Sequence, residues 1–243
     1  RKGSRVMDVQ DAEEQKTQLV VATQDGVDMR FNSRELKMDL QNFSKVHLEP
    51  AMAVMISGIE SDVLQGVTKQ VYNVTGIPGT VINDLLATGN ARAKLNQGLA
   101  PKDGNRNVQI DSVTSSTMVN ALKNLFQDSS TIAEQYREGK LGRTAMADFY
   151  ENERTWALSN SANVTGQALN NVTLENGTDT ISVTGGTVTP TVGQVFTIAG
   201  LYAIHPETKA AFSNLQQFVV GVGSTSTSLE ITPVIYISGA RQN

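Results

Sequence analysis

The residues of this chain whose types invite chemistry are two histidines, one close pair of carboxylates and one glycine-rich tetrapeptide. His47 and His205 lie far apart in sequence, and the chain has no cysteine. That removes thiolate nucleophiles, disulfides and cysteine-based zinc sites together. His205 falls in Ile204-His205-Pro206-Glu207, which reads as a surface loop. His47 precedes a helix and helps to end the segment before it. Glu60 and Asp62 sit two residues apart on a predicted helix, so they do not face each other. They read as solvated charges rather than as an acid–base pair. Gly221-Val222-Gly223-Ser224 lacks the third glycine of a dinucleotide fingerprint and follows no βαβ pattern. No Gly-x-Ser-x-Gly elbow and no Walker phosphate loop occur. The expectation is a protein with no catalytic residue, no cofactor and no metal, and therefore not an enzyme. Sequons at Asn73, Asn163, Asn171 and Asn176 are accounted for by chance in an Asn/Thr-rich chain.

Elements that would position such residues are clearer than the residues themselves. The 243 residues carry a net charge of −4, so bulk charge does not suggest a nucleic-acid-binding surface. No run approaches the roughly 18 apolar residues of a membrane span. The longest element is predicted from Glu49-Pro50 to Tyr72. Met52, Met55, Ile59, Val63, Val67 and Val71 follow at helical steps, with Pro50 suited to the first helical position. Such a helix is roughly 30–35 Å long. Its apolar stripe is expected to pack on the chain's own sheet, with Glu60, Gln65 and Lys69 on the outward side.

Residues 1–32 read as an extended β-hairpin, with Thr17–Thr23 as its stronger strand and Val6–Val9 as its weaker one. Asp11, Glu13, Glu14 and Lys16 form a charged tip between them. A short helix capped at Asn32 or Ser33 follows, and Ser44–Leu48 is expected to break it. After Pro78 a third helix draws on Val81, Ile82, Leu85, Leu86 and Leu95, with Gly89 as a weak point. Asn107–Asp111 alternates as a strand. A fourth helix is expected from Ser115 or Ser116, and a fifth from about Ser130 to Arg137. Helices and short strands thus mix through about residue 150, an α+β pattern. From about Ser159 charged residues become sparse, and Thr, Val, Gly, Ser and Asn dominate. Ile181–Val183, Val195–Ile198, Phe218–Val220 and Leu229–Ile231 read as strands punctuated by glycines, which predicts a β-sandwich or small barrel. The predicted divisions are a hairpin over 1–32, an α+β core over 33–158 and an all-β domain over 159–243. The chain starts at Arg1-Lys2-Gly3 and stops at Arg241-Gln242-Asn243 just after a strand-like run, so it reads as part of a longer one.

Residues 128–151 are the most specific passage. A short helix ends at Gly139, Leu141-Gly142-Arg143 follows, and a strand carries Asp148, Phe149 and Tyr150. This resembles the passage through the capsomer-centre domain of tailed-phage major capsid proteins with the HK97-type fold. The order of segments is similar too: an extended hairpin, a long helix opening at a proline like the family's spine helix, then axial helices and short strands. The Thr/Gly-rich segment after Trp156 resembles the immunoglobulin-like or telokin-like domain inserted in P-twenty-two-type coat proteins. The resemblance implies the HK97-type fold, with Gly139, Leu141, Gly142, Arg143, Asp148 and Phe149 as structural motif residues. It implies a loop at Asp11, Glu13, Glu14 and Lys16 that reaches a neighbouring subunit. It further implies pentamers and hexamers of the chain, a scaffolding protein and a portal as partners, and double-stranded DNA enclosed without sequence readout. The virion is the implied location, with assembly in the bacterial cytoplasm and no membrane. The alternative is an adhesin or tail-fibre module with a receptor-binding Ig-like domain.

Overall fold

The computed structural model describes residues 20–30, 43–77, 79–122, 141, 143–144, 147–159, 167–170, 174–185, 188–239 and 242–243. The charged tip at Asp11, Glu13, Glu14 and Lys16, the motif glycines Gly139 and Gly142, and the expected fifth helix lie outside these residues. The chain is mixed α+β. It divides into two compact units, Arg1–Met55 and Ile56–Asn243.

In the first unit, residues 20–30 carry no strand, and Val20 and Val21 are exposed. The strand expected over Thr17–Thr23 is therefore not seen at Val20–Thr23, where no partner strand is hydrogen-bonded among the described residues. Ser44–Leu48 does not break the chain's helical course. It forms a π-helical turn that leads directly into α1, Glu49–Thr68. The amide of Glu49 donates to the carbonyl of Ser44, five residues back. Pro50 explains the wide turn: it has no N–H to give, and its ring would crowd the carbonyl four residues earlier in a regular helix. Phe43 and His47 face each other one turn apart, with ring centroids 5.5 Å apart.

In the second unit, α1 ends at Thr68, earlier than Tyr72, and Thr68 Oγ1 donates to the carbonyl of Leu64. Helix α2 spans Leu85–Gln97, and the Asp84 side chain accepts the amide of Leu86 as its N-cap. Val81 and Ile82 precede the helix, and Gly89 does not interrupt it. Strand β1, Asn107–Ile110, is followed by α3, Ser112–Leu122. That helix starts before Ser115 because Asp111 caps it. The Asp111 carbonyl accepts the amide of Ser115 at 2.9 Å, and its carboxylate is held by Thr114. Strands β2, Arg143–Thr144, and β3, Ala147–Glu151, complete a three-stranded sheet in the order β1-β3-β2. β1 runs parallel to β3, and β2 antiparallel to it. Ile110, Met118 and Leu141 form its buried centre, with Leu85, Val108, Val119 and Phe149 packed around them.

The remaining strands are β4 Ala168–Leu169, β5 Thr178–Thr184, β6 Val195–Ile204, β7 Ala211–Val220 and β8 Ser228–Ile235. They form one curled antiparallel sheet in the order β4-β5-β8-β7-β6, not two facing sheets. β5 and β6 are not neighbours in it. Yet Ile181 and Val183 share one core with Phe218, Leu229, Ile231 and Ile235, and Phe196, Ile198 and Leu201 pack against the same core. The curl therefore lets one sheet wrap its own apolar face. Alternation along β8 places Leu229, Ile231 and Ile235 on that face. Gly200 does not end a strand. It lies inside β6 at φ +89, where the pairing with β7 shifts register between Thr197 and Tyr202. Pro233 has no N–H for the ladder, and the β5–β8 register jumps between the Glu230 and Ile235 pairs.

Candidate functional site

Four of the motif residues are brought together by the smaller sheet. Leu141 is buried against Ile110 and Met118, and Phe149 packs on the same cluster. Arg143 and Asp148 are directly opposed in the β2–β3 register. The guanidinium lies 3.9 Å from the Asp148 carboxylate, and Nη2 donates to the carbonyl of Gly104 at 2.7 Å. Gly104 adopts φ +85, the left-handed turn that presents this carbonyl. The passage acts as a strand junction that ties the loop before β1 to β2 and β3. Arg143 and Asp148 are partnered within the chain.

The long helix meets its own unit through the opposite side to that expected. Glu60, expected as a free solvated charge, is half-buried and paired within the chain. Arg154 Nη1 donates to Glu60 Oε2 at 2.8 Å, Asn152 Nδ2 donates to Oε1 at 2.6 Å, and Arg154 Nε donates to Ser57 Oγ at 2.6 Å. Just past the helix, the Lys69 ammonium lies 5.1 Å from the Trp156 ring centroid. The backbone at Lys69 approaches Gly193 so closely that a Cβ there would lie 2.9 Å from Lys69 Cα. Gln65 is half-buried, while Asp62 stays exposed. The apolar stripe is left outward: Ile59, Val63 and Val67 are 46 %, 57 % and 56 % exposed, and Met52 and Ile56 are exposed as well. No residue of α1 is buried. The physical reason is a polar clamp a quarter-turn around the helix from the stripe, built from residues more than ninety positions further along the chain. Periodicity locates a stripe but does not say what covers it, and nothing near Glu60 in sequence announces Arg154.

The histidines serve the fold. His205 is half-buried, not a free surface residue. Its Nδ1 accepts the amides of Glu207 and Thr208, both at 3.2 Å, and its ring lies against Phe212. It organises the β6–β7 turn as an Asx side chain would. Gly221-Val222-Gly223-Ser224 is the β7–β8 turn: Glu230 receives the amide of Gly221 on its carbonyl and that of Gly223 on its carboxylate, both at 2.7 Å. Among the sequons, Asn176 is used internally, its Oδ1 accepting the amides of Ile237 and Ser238. Asn163 and Asn171 lie outside the described residues.

Among the described residues no group of three or more His, Cys, Asp or Glu side chains is placed to hold a metal ion. Among the same residues no helix is long and apolar enough to cross a membrane. No protein-family model matches the chain, and no curated protein matches it either.

Proposed function

We propose that this chain is a structural subunit that assembles with copies of itself into the icosahedral head of a tailed phage or prophage, and that it carries out no reaction. The observation that carries this reading is the outward stripe of Ile56, Ile59, Val63 and Val67 on a helix fixed from another side. A row of half-exposed branched residues along about 17 Å of helix is a costly surface for a solitary protein and a useful one for a subunit. The junction formed by Leu141, Arg143, Asp148 and Phe149 supports the same reading, because the capsid passage it resembles is a structural crossing rather than a site. In this reading the HK97-type fold underlies the subunit, pentamers and hexamers are its products, and repeated heterologous contacts close into rings. A scaffolding protein and a portal are its other partners. Double-stranded DNA is enclosed in the virion without being read, in keeping with a net charge of −4.

The test is expression of the complete reading frame containing these residues, with and without a co-expressed scaffolding protein. Negative-stain microscopy and sedimentation velocity are the measurements. Capsomers or closed shells are expected. A strictly monomeric product under both conditions sinks the proposal and leaves the adhesin-type module as the better reading.

A further inference from the structure

A cleft of about 150 Å³ opens between the end of α2, the Tyr72–Asn73 segment and the β6–β7 hairpin. Among the described residues, Lys94 is the charged side chain in its lining, and no Asp or Glu side chain lines it. The ammonium donates to the carbonyl of Val74 at 2.8 Å and to Gln217 Oε1. Gln217 is itself fixed, because the same oxygen accepts the Val74 amide at 3.0 Å. A lysine ammonium has three N–H donors. Two are spent here, both on neutral acceptors, and the third is left over. Partial burial lowers the Lys94 pKa by desolvating the ammonium. Asn73, Gln97 and Asn214 line the same cleft, and the side-chain amide of each carries two N–H donors.

We propose that this cleft binds a small monocarboxylate, with Lys94 as its counter-charge and the surrounding amides as further donors. The volume is that of about five water molecules, which suits a short-chain carboxylate. Among the described lining residues Lys94 alone carries a side-chain charge, which matches one negative charge. A phosphate dianion would bring a second charge that no described residue of the lining neutralises. A carboxylate accepting a charge-assisted hydrogen bond from Lys94 would restore what desolvation removes.

Acetate is the probe, titrated into the isotope-labelled 243-residue chain at pH 7 and constant ionic strength, with chloride as the reference salt. Saturable NMR shifts at Lys94, Asn73 and Gln217 are expected, with an affinity on the order of millimolar for so small a ligand. Lys94→Gln should weaken binding at least tenfold, while the circular dichroism spectrum stays unchanged. Gln97→Leu, at the half-buried C-terminal end of α2, provides a second variant should Lys94→Gln fail to fold, and should weaken binding at least threefold. Shifts that stay linear with acetate overturn the proposal. So does equal affinity in whichever of these variants folds, or tighter binding of inorganic phosphate than of acetate.

Discussion

Arg154 and Glu60 meet through a hydrogen-bonded ion pair of 2.8 Å that joins the segment after β3 to the long helix. Asn152 donates to the second oxygen of the same carboxylate, and Ser57 Oγ accepts a hydrogen bond from Nε of the same guanidinium. The pair fixes the rotation of α1 about its own axis, and so determines that the apolar stripe points outward.

The strength of that pair is the first prediction. Its side chains are 44 % and 35 % exposed, so solvent screens much of the Coulomb attraction. A double-mutant cycle of Glu60→Ala and Arg154→Ala should give a coupling of about 0.5–1 kcal/mol in urea unfolding. Arg154→Ala alone should cost about 1–2 kcal/mol, because it also leaves Glu60 and Ser57 short of a donor. A coupling indistinguishable from zero would remove Arg154 as the clamp.

Gly193 and Gly200 separate two effects usually confounded in glycine substitutions. Both have φ near +90, so alanine is strained at either site. At Gly200 the added methyl meets nothing within 4 Å, whereas at Gly193 it meets Lys69 Cα at 2.9 Å. Gly200→Ala should cost about 1–2 kcal/mol from backbone strain alone. Gly193→Ala should cost at least about 1 kcal/mol more, as overpacking against backbone does. It should also disturb the Lys69–Trp156 contact, which tryptophan fluorescence would register. Equal losses in thermal unfolding at the two sites would mean that the close approach to Lys69 carries no energy.

Asp111 gives a prediction in pH. Hydrogen bonding from the Thr114 side chain, followed by smaller backbone contributions, holds its carboxyl below the usual 3.8. The folded value is thus below the unfolded one, and the unfolded chain binds more protons between the two. Stability from this cap is fully present above about pH 4 and is lost as pH falls through the folded value. Asp111→Asn keeps a cap but cannot titrate, so its urea midpoint should fall less steeply between pH 4 and pH 2.5 than that of the parent. Asp111→Ala should cost about 1 kcal/mol at pH 7. Parallel pH profiles for the parent and Asp111→Asn would show that the Thr114 bond does not favour the ionised form.

How far the sequence reveals this fold depends on the range of the interaction concerned. The four longer strands of the curled sheet were legible because Ile181/Val183 and Leu229/Ile231 alternate with polar residues, and alternation is local. Ala168–Leu169 was not legible, because two residues show no period and the strand exists through its pairing with Val183 and Thr184. Helix α1 was legible as a helix, but its orientation depends on Asn152 and Arg154, which no local pattern links to Glu60. The start of α3 was missed because several Ser and Thr residues compete as caps, and the cap is an aspartate at the end of a strand. Gly200, one of the glycines that punctuate the strand-like runs, lies inside β6, because a glycine with positive φ has the same sequence signature in a bulge as in a turn. In the Leu141–Phe149 passage the residues were legible and their opposition in the register was not.

The exposed stripe makes the last prediction, which separates stability from assembly. Ile59 and Val63 are each about half exposed, so replacing both with lysine removes little buried area. The double variant should unfold within about 0.5 kcal/mol of the parent, as surface substitutions generally do. A subunit that uses this face would instead bring two desolvated ammonium groups into each contact, and repetition multiplies the penalty over every copy in a shell. Ile59→Lys/Val63→Lys should therefore remain folded by circular dichroism and fail to form capsomers or shells in the complete reading frame. The polar control is Asp62→Asn on the same exposed helix, which should assemble as the parent does. A double variant that unfolds outright would show that the stripe is covered within the chain. One that assembles normally would show that this face takes no part in the particle.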